Sequence, residues 1–248
     1  MLKLMKYEFK KQALTKGIML ALVAVIEVVF LIGVVVKTNE ALFTIPLAII
    51  MLVAFAAVLF VSIESVFTFS NDLKTKSSYM LFMTPYSSFT IIGAKLFVSF
   101  ITLFLTGLAF LFLITGNFTL MAMRIGGVAE VRDMIAFYLN EFWNIHISFY
   151  DVLRGVVWVL INFAVFITTA FVSMAISATV LANKRMKGLV SLIIFIILNL
   201  VFTGIANRII PGDIWTSGYF WLSCGLNLIY LVATYYGTGW LLDRKISL

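Results

Sequence analysis

Three charged residues of this sequence lie where charge is costly. Glu27, Glu64 and Lys95 each fall inside a long apolar stretch or near its end. A charge near the middle of a bilayer costs on the order of 3 kcal/mol on insertion scales. Glu27, at the centre of its stretch, is therefore expected to face the interior of a helical bundle or water. Glu64 and Lys95 are expected at similar depths on neighbouring helices, and we predict that they form an ion pair.

A row of small polar residues gives a second candidate site. Thr169, Ser173 and Ser177 recur every four residues, which places them on one face of a helix. Side chains of this kind allow helices to pack closely. They could equally line a polar pathway, although packing is the preferred interpretation.

The remaining chemistry is limited. His146 and Cys224 are the single histidine and the single cysteine, so a multi-histidine metal site and an intrachain disulfide are not expected. The sequence contains no phosphate-binding P-loop, no G-x-S-x-G or H-E-x-x-H motif and no dinucleotide fingerprint. We therefore predict no catalytic site, no metal site and no ATP hydrolysis by this chain.

Composition indicates a membrane protein. Hydrophobic residues make up 63% of the 248 residues and charged residues 12%, whereas soluble domains average about half and about a quarter. We predict an all-α polytopic protein, a single transmembrane domain over residues 1–248. Six apolar stretches are long enough to cross about 30 Å of hydrocarbon, and they are residues 18–36, 42–69, 89–115, 152–181, 189–205 and 219–242.

The basic residues predict the orientation of these spans. With the N-terminus inside, six crossings bring the C-terminus inside as well, and 13 of the 18 basic residues fall in cytoplasmic segments. This agrees with the positive-inside rule. The net charge of +7 is thereby explained by topology, and no nucleic-acid partner is expected.

Two segments on the cytoplasmic side are predicted to be helical without crossing the membrane. In residues 1–17, Leu2, Met5, Phe9 and Ala13 share one face, which favours a helix lying on the inner leaflet, with a bend at Gly17. It is interpreted either as a topology anchor or as a mobile elbow.

The second segment, residues 71–84, lies between the second and third spans. Asn71 or Asp72 is expected to cap its start, and Pro85 to end it. Apolar residues outside the bilayer core usually form a docking surface or pack on the membrane, and here they are Tyr79, Met80, Leu81, Phe82 and Met83. On the outer side, residues 116–151 are expected to include an amphipathic surface helix.

These features resemble the membrane subunit of an ABC-2 type transporter, a small bacterial permease without a fused ATPase. The resemblance rests on the basic opening of residues 1–11, the six spans, and the segment 69–97 with its Thr84-Pro85 and Gly93-Ala94-Lys95 patterns. Among small permeases, the chain is most similar to exporters of amphipathic peptides such as phenol-soluble modulins.

The resemblance implies a location, partners and roles. The chain would lie in a bacterial plasma membrane, form a dimer with a second permease chain, and bind a separate ATPase subunit that holds ATP and magnesium. The segment 71–83 would be the coupling helix that docks on this ATPase. The residues that inherit the coupling role are Asn71, Asp72, Leu73, Lys74, Tyr79, Met80, Leu81, Phe82 and Met83.

Two other functions remain open. An ion-gradient-driven transporter would use Glu27 as its proton or sodium site. A substrate-binding subunit of an energy-coupling-factor importer also has about six spans, but it would require a cluster of polar residues for a small polar ligand. The spans show no such cluster.

Overall fold

The secondary structure that the computed structural model describes is helical. It covers residues 2–36, 41–74, 86–125, 127, 149–180, 187–210 and 217–245. In chain order the helices are α1 (Leu2–Val35), α2 (Ala41–Lys74), α3 (Ser88–Ile125), α4 (Phe149–Val180), α5 (Lys187–Ile209) and α6 (Ser217–Lys245).

Five of these helices, α1 to α5, are long and apolar enough to cross a membrane. The sixth, α6, has 29 residues, enough to span about 43 Å. It contains more polar and aromatic residues, among them Asn227 and four tyrosines. A chain with this many membrane-length apolar helices is a multi-pass membrane protein.

The surface of the helices agrees with this class. Large apolar side chains remain mostly exposed in the middle of the spans, as shown by Leu52 and Phe112, each 70% exposed, and Ile229, 68% exposed. A water-soluble protein rarely exposes apolar side chains so extensively. These faces therefore contact lipid in place of water. Apolar side chains lie both inside the protein and on these faces, so an apolar side chain is not by itself a sign of the core.

The helices extend beyond the predicted spans, most of all α1 and α3. The segment 1–17 and the first span merge into α1, which continues through Gly17. Gly17 has open space around its Cα, and a single glycine inside a helix costs only about 1 kcal/mol relative to alanine. The helix that contains the third predicted span continues past residue 115 to Ile125, and its residue Asn117 is buried.

The start of α1 packs against protein on a face that the sequence analysis did not identify. Leu4, Glu8 and Gln12, at successive intervals of four residues, are buried, whereas Leu2 is 81% exposed. An apolar stripe predicts a membrane-facing side, but it does not reveal which side packs against protein. Here the packed side is largely polar.

Contacts divide the chain into two compact units, and α2 and α3 each contribute to both. One unit consists of residues 7–61 and 101–153. Its core is a cluster of Val23, Ile50, Ala57 and Phe110, which joins α1 to the first half of α2 and the second half of α3. A smaller cluster around Phe30 and Leu47 continues this core along the same helices.

The other unit consists of residues 1–6, 62–100 and 154–248. Aromatic pairs connect its helices: Phe69 of α2 stacks on Phe171 of α4 at 4.2 Å between ring centroids. Hydroxyl groups add to these contacts, because the Thr234 hydroxyl of α6 donates to the Thr168 hydroxyl of α4 at 2.9 Å.

The start of α3 is attached to α6 by aromatic residues. The Tyr235 hydroxyl donates to the carbonyl oxygen of Phe89 at 2.8 Å, and the Phe89 ring lies 5.6 Å from that of Tyr236. This ring also covers Gly239, where an added Cβ would lie 2.3 Å from the ring. Glycine is therefore required at position 239 so that α3 and α6 can approach closely.

We expect Gly239→Ala to lower the apparent melting temperature of the purified protein, since Phe89 must leave its position and overpacking costs about 1–3 kcal/mol. The matched control is Gly237→Ala, two residues earlier on α6, where an added Cβ would meet only Val172 at an ordinary 3.6 Å. Thermal unfolding in detergent, followed by size-exclusion chromatography, compares the two. Equal melting temperatures would contradict the close contact.

Candidate functional site

A buried ion pair joins the end of α2 to the start of α3. Lys95 Nζ donates to Asp72 Oδ2, and the two side chains are only 4% and 12% exposed. At such burial neither charge is well hydrated, so each depends on the other for stabilisation.

Helix direction explains why these two residues meet. Side chains on a helix tilt toward its N-terminus. The N-terminus of α3 lies at the end where α2 finishes, so the long side chain of Lys95 reaches back toward that end. The Asp72 side chain tilts toward the N-terminus of α2, and therefore away from that end. The two charged groups tilt toward one another and meet.

The sequence analysis expected Glu64 as the partner of Lys95. The structure gives Lys95 a carboxylate two turns further along α2, Asp72. An ion pair between Glu64 and Lys95 stays a prediction, and Asp72 is a partner of Lys95 that the sequence analysis did not identify. Glu64 lies half-buried on α2.

Hydroxyl groups extend the contact between α2 and α3. Ser65 and Ser99 lie 2.6 Å apart, and the Ser99 hydroxyl also donates to the carbonyl oxygen of Lys95 at 2.9 Å. Both serines are buried. The end of α2 and the start of α3 are thus connected by polar groups over about two turns.

The row Thr169, Ser173 and Ser177 on α4 is fully buried, with no residue more than 1% exposed. Thr169 donates to the carbonyl oxygen of Val165 at 2.7 Å, and Ser173 to that of Ala170 at 2.8 Å. Ser173 also lies 3.4 Å from Ser191 of α5. These contacts fit close helix packing, the preferred interpretation of the row.

An apolar groove of about 410 Å³ lies beside this row, between α2, α4 and α5. We call it the α2–α4–α5 groove. Its walls include Ile63, Phe67 and Leu73 of α2, Ala178 of α4 and Leu192 of α5, and Ser173, Ser177 and Ser191 contribute hydroxyls. None of the lining residues is charged.

Glu27 has a polar partner in the unit formed by residues 7–61 and 101–153. The side-chain amide of Asn117 on α3 donates to Glu27 Oε2 at 3.0 Å, and Asn117 is 2% exposed. The carboxylate therefore lies between α1 and α3, next to the apolar cluster around Phe30. Its partner was missed because residue 117 was expected beyond the end of the third span.

Another polar contact in this unit joins α1 to α3. Lys16 donates to the side chain of Gln12 and, at 3.2 Å, to the hydroxyl of Thr102. Its ammonium group also lies 5.9 Å from the centre of the Phe9 ring. The sequence suggested Lys16 only as a cytoplasmic charge.

Part of the predicted coupling segment is described. Asn71, Asp72, Leu73 and Lys74 form the last turn of α2 instead of opening a separate helix. Asn71 is exposed and Leu73 half-buried, while the Asp72 carboxylate binds Lys95. The apolar part, residues 79–83, lies outside the described residues.

Within the described ranges, no group of three or more histidine, cysteine, aspartate or glutamate side chains could hold a metal ion. The sequence matches no protein-family model, no curated protein and no solved structure. The fold defines a multi-pass helical membrane protein, and the function must be argued from its own contacts.

We expect Asp72→Lys and Lys95→Asp to destabilise the protein strongly when made singly, because each leaves an uncompensated buried charge worth about 3–5 kcal/mol. The double variant Asp72→Lys/Lys95→Asp restores opposite charges and should recover most of the loss. Thermal unfolding in detergent provides the measurement.

The control for this cycle is Lys10→Asp, which reverses an exposed charge on α1 and should leave the melting temperature nearly unchanged. A double variant as unstable as the sum of the single ones would show that Asp72 and Lys95 do not stabilise one another.

Proposed function

We propose that the chain is the membrane-spanning permease subunit of an ATP-driven exporter of the ABC-2 type. It lies in a bacterial plasma membrane with both termini in the cytoplasm. A separate ATPase subunit binds ATP and magnesium, a second copy of the permease completes the pathway, and the substrate is an amphipathic peptide.

The observation that carries this proposal is the ion pair between Asp72 and Lys95. The two residues flank the segment 75–85, which contains the apolar residues 79–83. A partner that binds this segment and pulls or pushes on it acts on α2 and α3 together, because the pair holds the two helices to one another. Without such a connection, movement of the segment would change only the backbone next to its two ends and would not move α2 and α3 together.

Energy transfer of this kind requires an element with two arrangements, biased by a ligand bound elsewhere. Here ATP binds the partner, and the paired ends of α2 and α3 are the element that moves. The permease itself carries out no chemical step, in agreement with the absence of nucleotide-binding motifs from its sequence.

We expect Leu81→Asp/Phe82→Asp to abolish co-purification with a co-expressed candidate ATPase subunit, because charges replace the apolar groups that would enter its surface. Membrane insertion should be unchanged. The measurement is affinity purification of this chain from membranes that contain both subunits, followed by an assay of ATP turnover in the purified sample.

The matched control is Thr75→Asp/Ser78→Asp, which adds the same charge to the same segment without removing apolar groups and should retain the ATPase. If the Leu81/Phe82 variant retained it equally well, residues 79–83 would not be the docking surface.

A second candidate function is favoured by the contact between Glu27 and Asn117. A carboxylate that lies in a span and accepts a hydrogen bond from a buried amide is a common feature of proton and sodium sites in transporters. This arrangement supports an ion-gradient-driven transporter.

Replacement of Glu27 by glutamine separates the two functions. In the ATP-driven exporter, Glu27→Gln preserves the contact with Asn117 and peptide export continues, but export stops when ATP is depleted. In the gradient-driven transporter, Glu27→Gln abolishes transport. Transport by the wild type then continues when ATP is depleted but stops when a protonophore collapses the gradient. Export of a fluorescent amphipathic peptide from cells distinguishes these outcomes.

A further inference from the structure

We propose that the exposed basic face of α1 binds the headgroups of anionic phospholipids. This basic face consists of Lys3, Lys6 and Lys10. The proposal is independent of the exporter function, since it depends only on α1 and on the bilayer that this helix crosses.

The three lysines lie on the side of α1 that the rest of the described chain leaves uncovered. At about 100° of rotation per residue, they fall within an arc of about 60°. The opposite side of the same turns carries Leu4, Glu8 and Gln12, which are buried, whereas all three lysines are exposed. The basic face is therefore turned away from the protein and toward the surroundings of the helix.

The ammonium groups of this face are available to a ligand. Among the residues that the structure describes, Lys3, Lys6 and Lys10 have no ion-pair partner. Lys16 differs from them, because it donates to Gln12 and Thr102. The single carboxylate in residues 2–17 belongs to Glu8, on the buried side. The basic face therefore carries positive charge that no carboxylate in this part of α1 balances.

The length of α1 brings this charge to the membrane surface. Its 34 residues extend about 51 Å, whereas the hydrocarbon core of a bilayer is about 30 Å thick. The uninterrupted apolar part begins at Ile18, so the excess length lies at the N-terminal end, which carries the lysines. Headgroups surround a helix where it leaves the hydrocarbon, and charges act over about 8–10 Å at moderate salt. Anionic headgroups are therefore within reach of the basic face.

Apolar side chains next to the lysines favour a lipid over free phosphate or an acidic protein. Leu2, Tyr7 and Leu14 are all largely exposed on the same part of α1. Lysines interleaved with exposed apolar groups are typical of helices that bind at a membrane interface, where headgroups meet acyl chains. A free phosphate ion would engage the lysines and leave these apolar side chains in water.

The basic face continues toward the bilayer centre as a row of small residues. Ala13, Gly17, Ala21 and Ala24 are exposed on the same side of α1, and an added Cβ at Gly17 would meet nothing within 4 Å. A lipid whose headgroup lies at Lys10 can therefore place an acyl chain along this shallow surface. A second copy of α1 in the same orientation would instead bring two rows of lysines together, which like-charge repulsion disfavours.

Native mass spectrometry of the purified full chain tests the proposal. The chain in detergent is mixed with equal amounts of phosphatidylglycerol and phosphatidylcholine that have identical acyl chains, and the bound lipids are counted. One basic residue at an anionic surface strengthens binding about fivefold before screening. We expect phosphatidylglycerol to bind about tenfold more tightly at low salt. The preference should shrink at about 1 M salt, where charges act over only about 3 Å.

Three variants separate charge from other causes. Lys3→Gln/Lys6→Gln/Lys10→Gln removes the charge of the basic face, and we expect it to bind the two lipids about equally. Lys3→Arg/Lys6→Arg/Lys10→Arg retains the charge and should retain the preference. Arg208→Gln removes an exposed charge from the last turn of α5 and should also leave the preference unchanged. Size-exclusion chromatography and the melting temperature verify that the variants fold.

Several results would overturn the proposal. Equal binding of both lipids by the wild type, or an unchanged preference in the glutamine variant, would remove the basic face as a lipid site. Loss of the preference in the arginine variant would show that charge is not its cause. Displacement of phosphatidylglycerol by excess inorganic phosphate would make the face a phosphate site. An unchanged lipid preference with loss of a co-purifying ATPase from the glutamine variant would make it a protein-docking surface. A preference that glutamine removes and arginine keeps supports the lipid.

Discussion

Hydrocarbon offers no hydrogen-bonding partner, so each polar side chain inside a span must find one within the protein. Several hydroxyls in the described helices donate to a carbonyl oxygen of their own helix, four residues back. Thr169 donates to Val165, Thr238 to Thr234 and, on a lipid-exposed face, Thr115 to Leu111, at 2.7 Å in each case. Such residues need no neighbouring helix, which leaves them available for close packing.

Acidic and basic side chains in the spans instead bind groups on a neighbouring helix. Lys95 requires a carboxylate and finds Asp72 across the contact of α2 with α3. Glu27 accepts a hydrogen bond from the side-chain amide of Asn117 across the contact of α1 with α3. Apolar side chains would pack equally well in many registers because they are all compatible with one another, so these two contacts limit how α3 can sit against each neighbour within its unit.

The helices could be predicted from the sequence, because each apolar stretch has to be about as long as the bilayer is thick. The partners could not. A span fixes the depth of a residue only roughly, whereas contact depends on rotation about the helix axis and on side-chain direction. For this reason the sequence did not identify Asp72 as a partner of Lys95. The buried stripe of Leu4, Glu8 and Gln12 was not predicted, because the sequence analysis considered only the apolar face of this segment.

The last turns of α2 combine two kinds of contact. Ser65 and Asp72, seven residues apart, lie on nearly the same side of the helix and face α3. Ile63 and Ser70, also seven residues apart, lie on nearly the opposite side and line the groove. The side that faces α3 makes directional polar contacts that are costly to separate, whereas the groove side is mostly apolar with serine hydroxyls among its lining residues. The end of α2 is therefore held to α3 by polar groups on one side and lines the groove on the other.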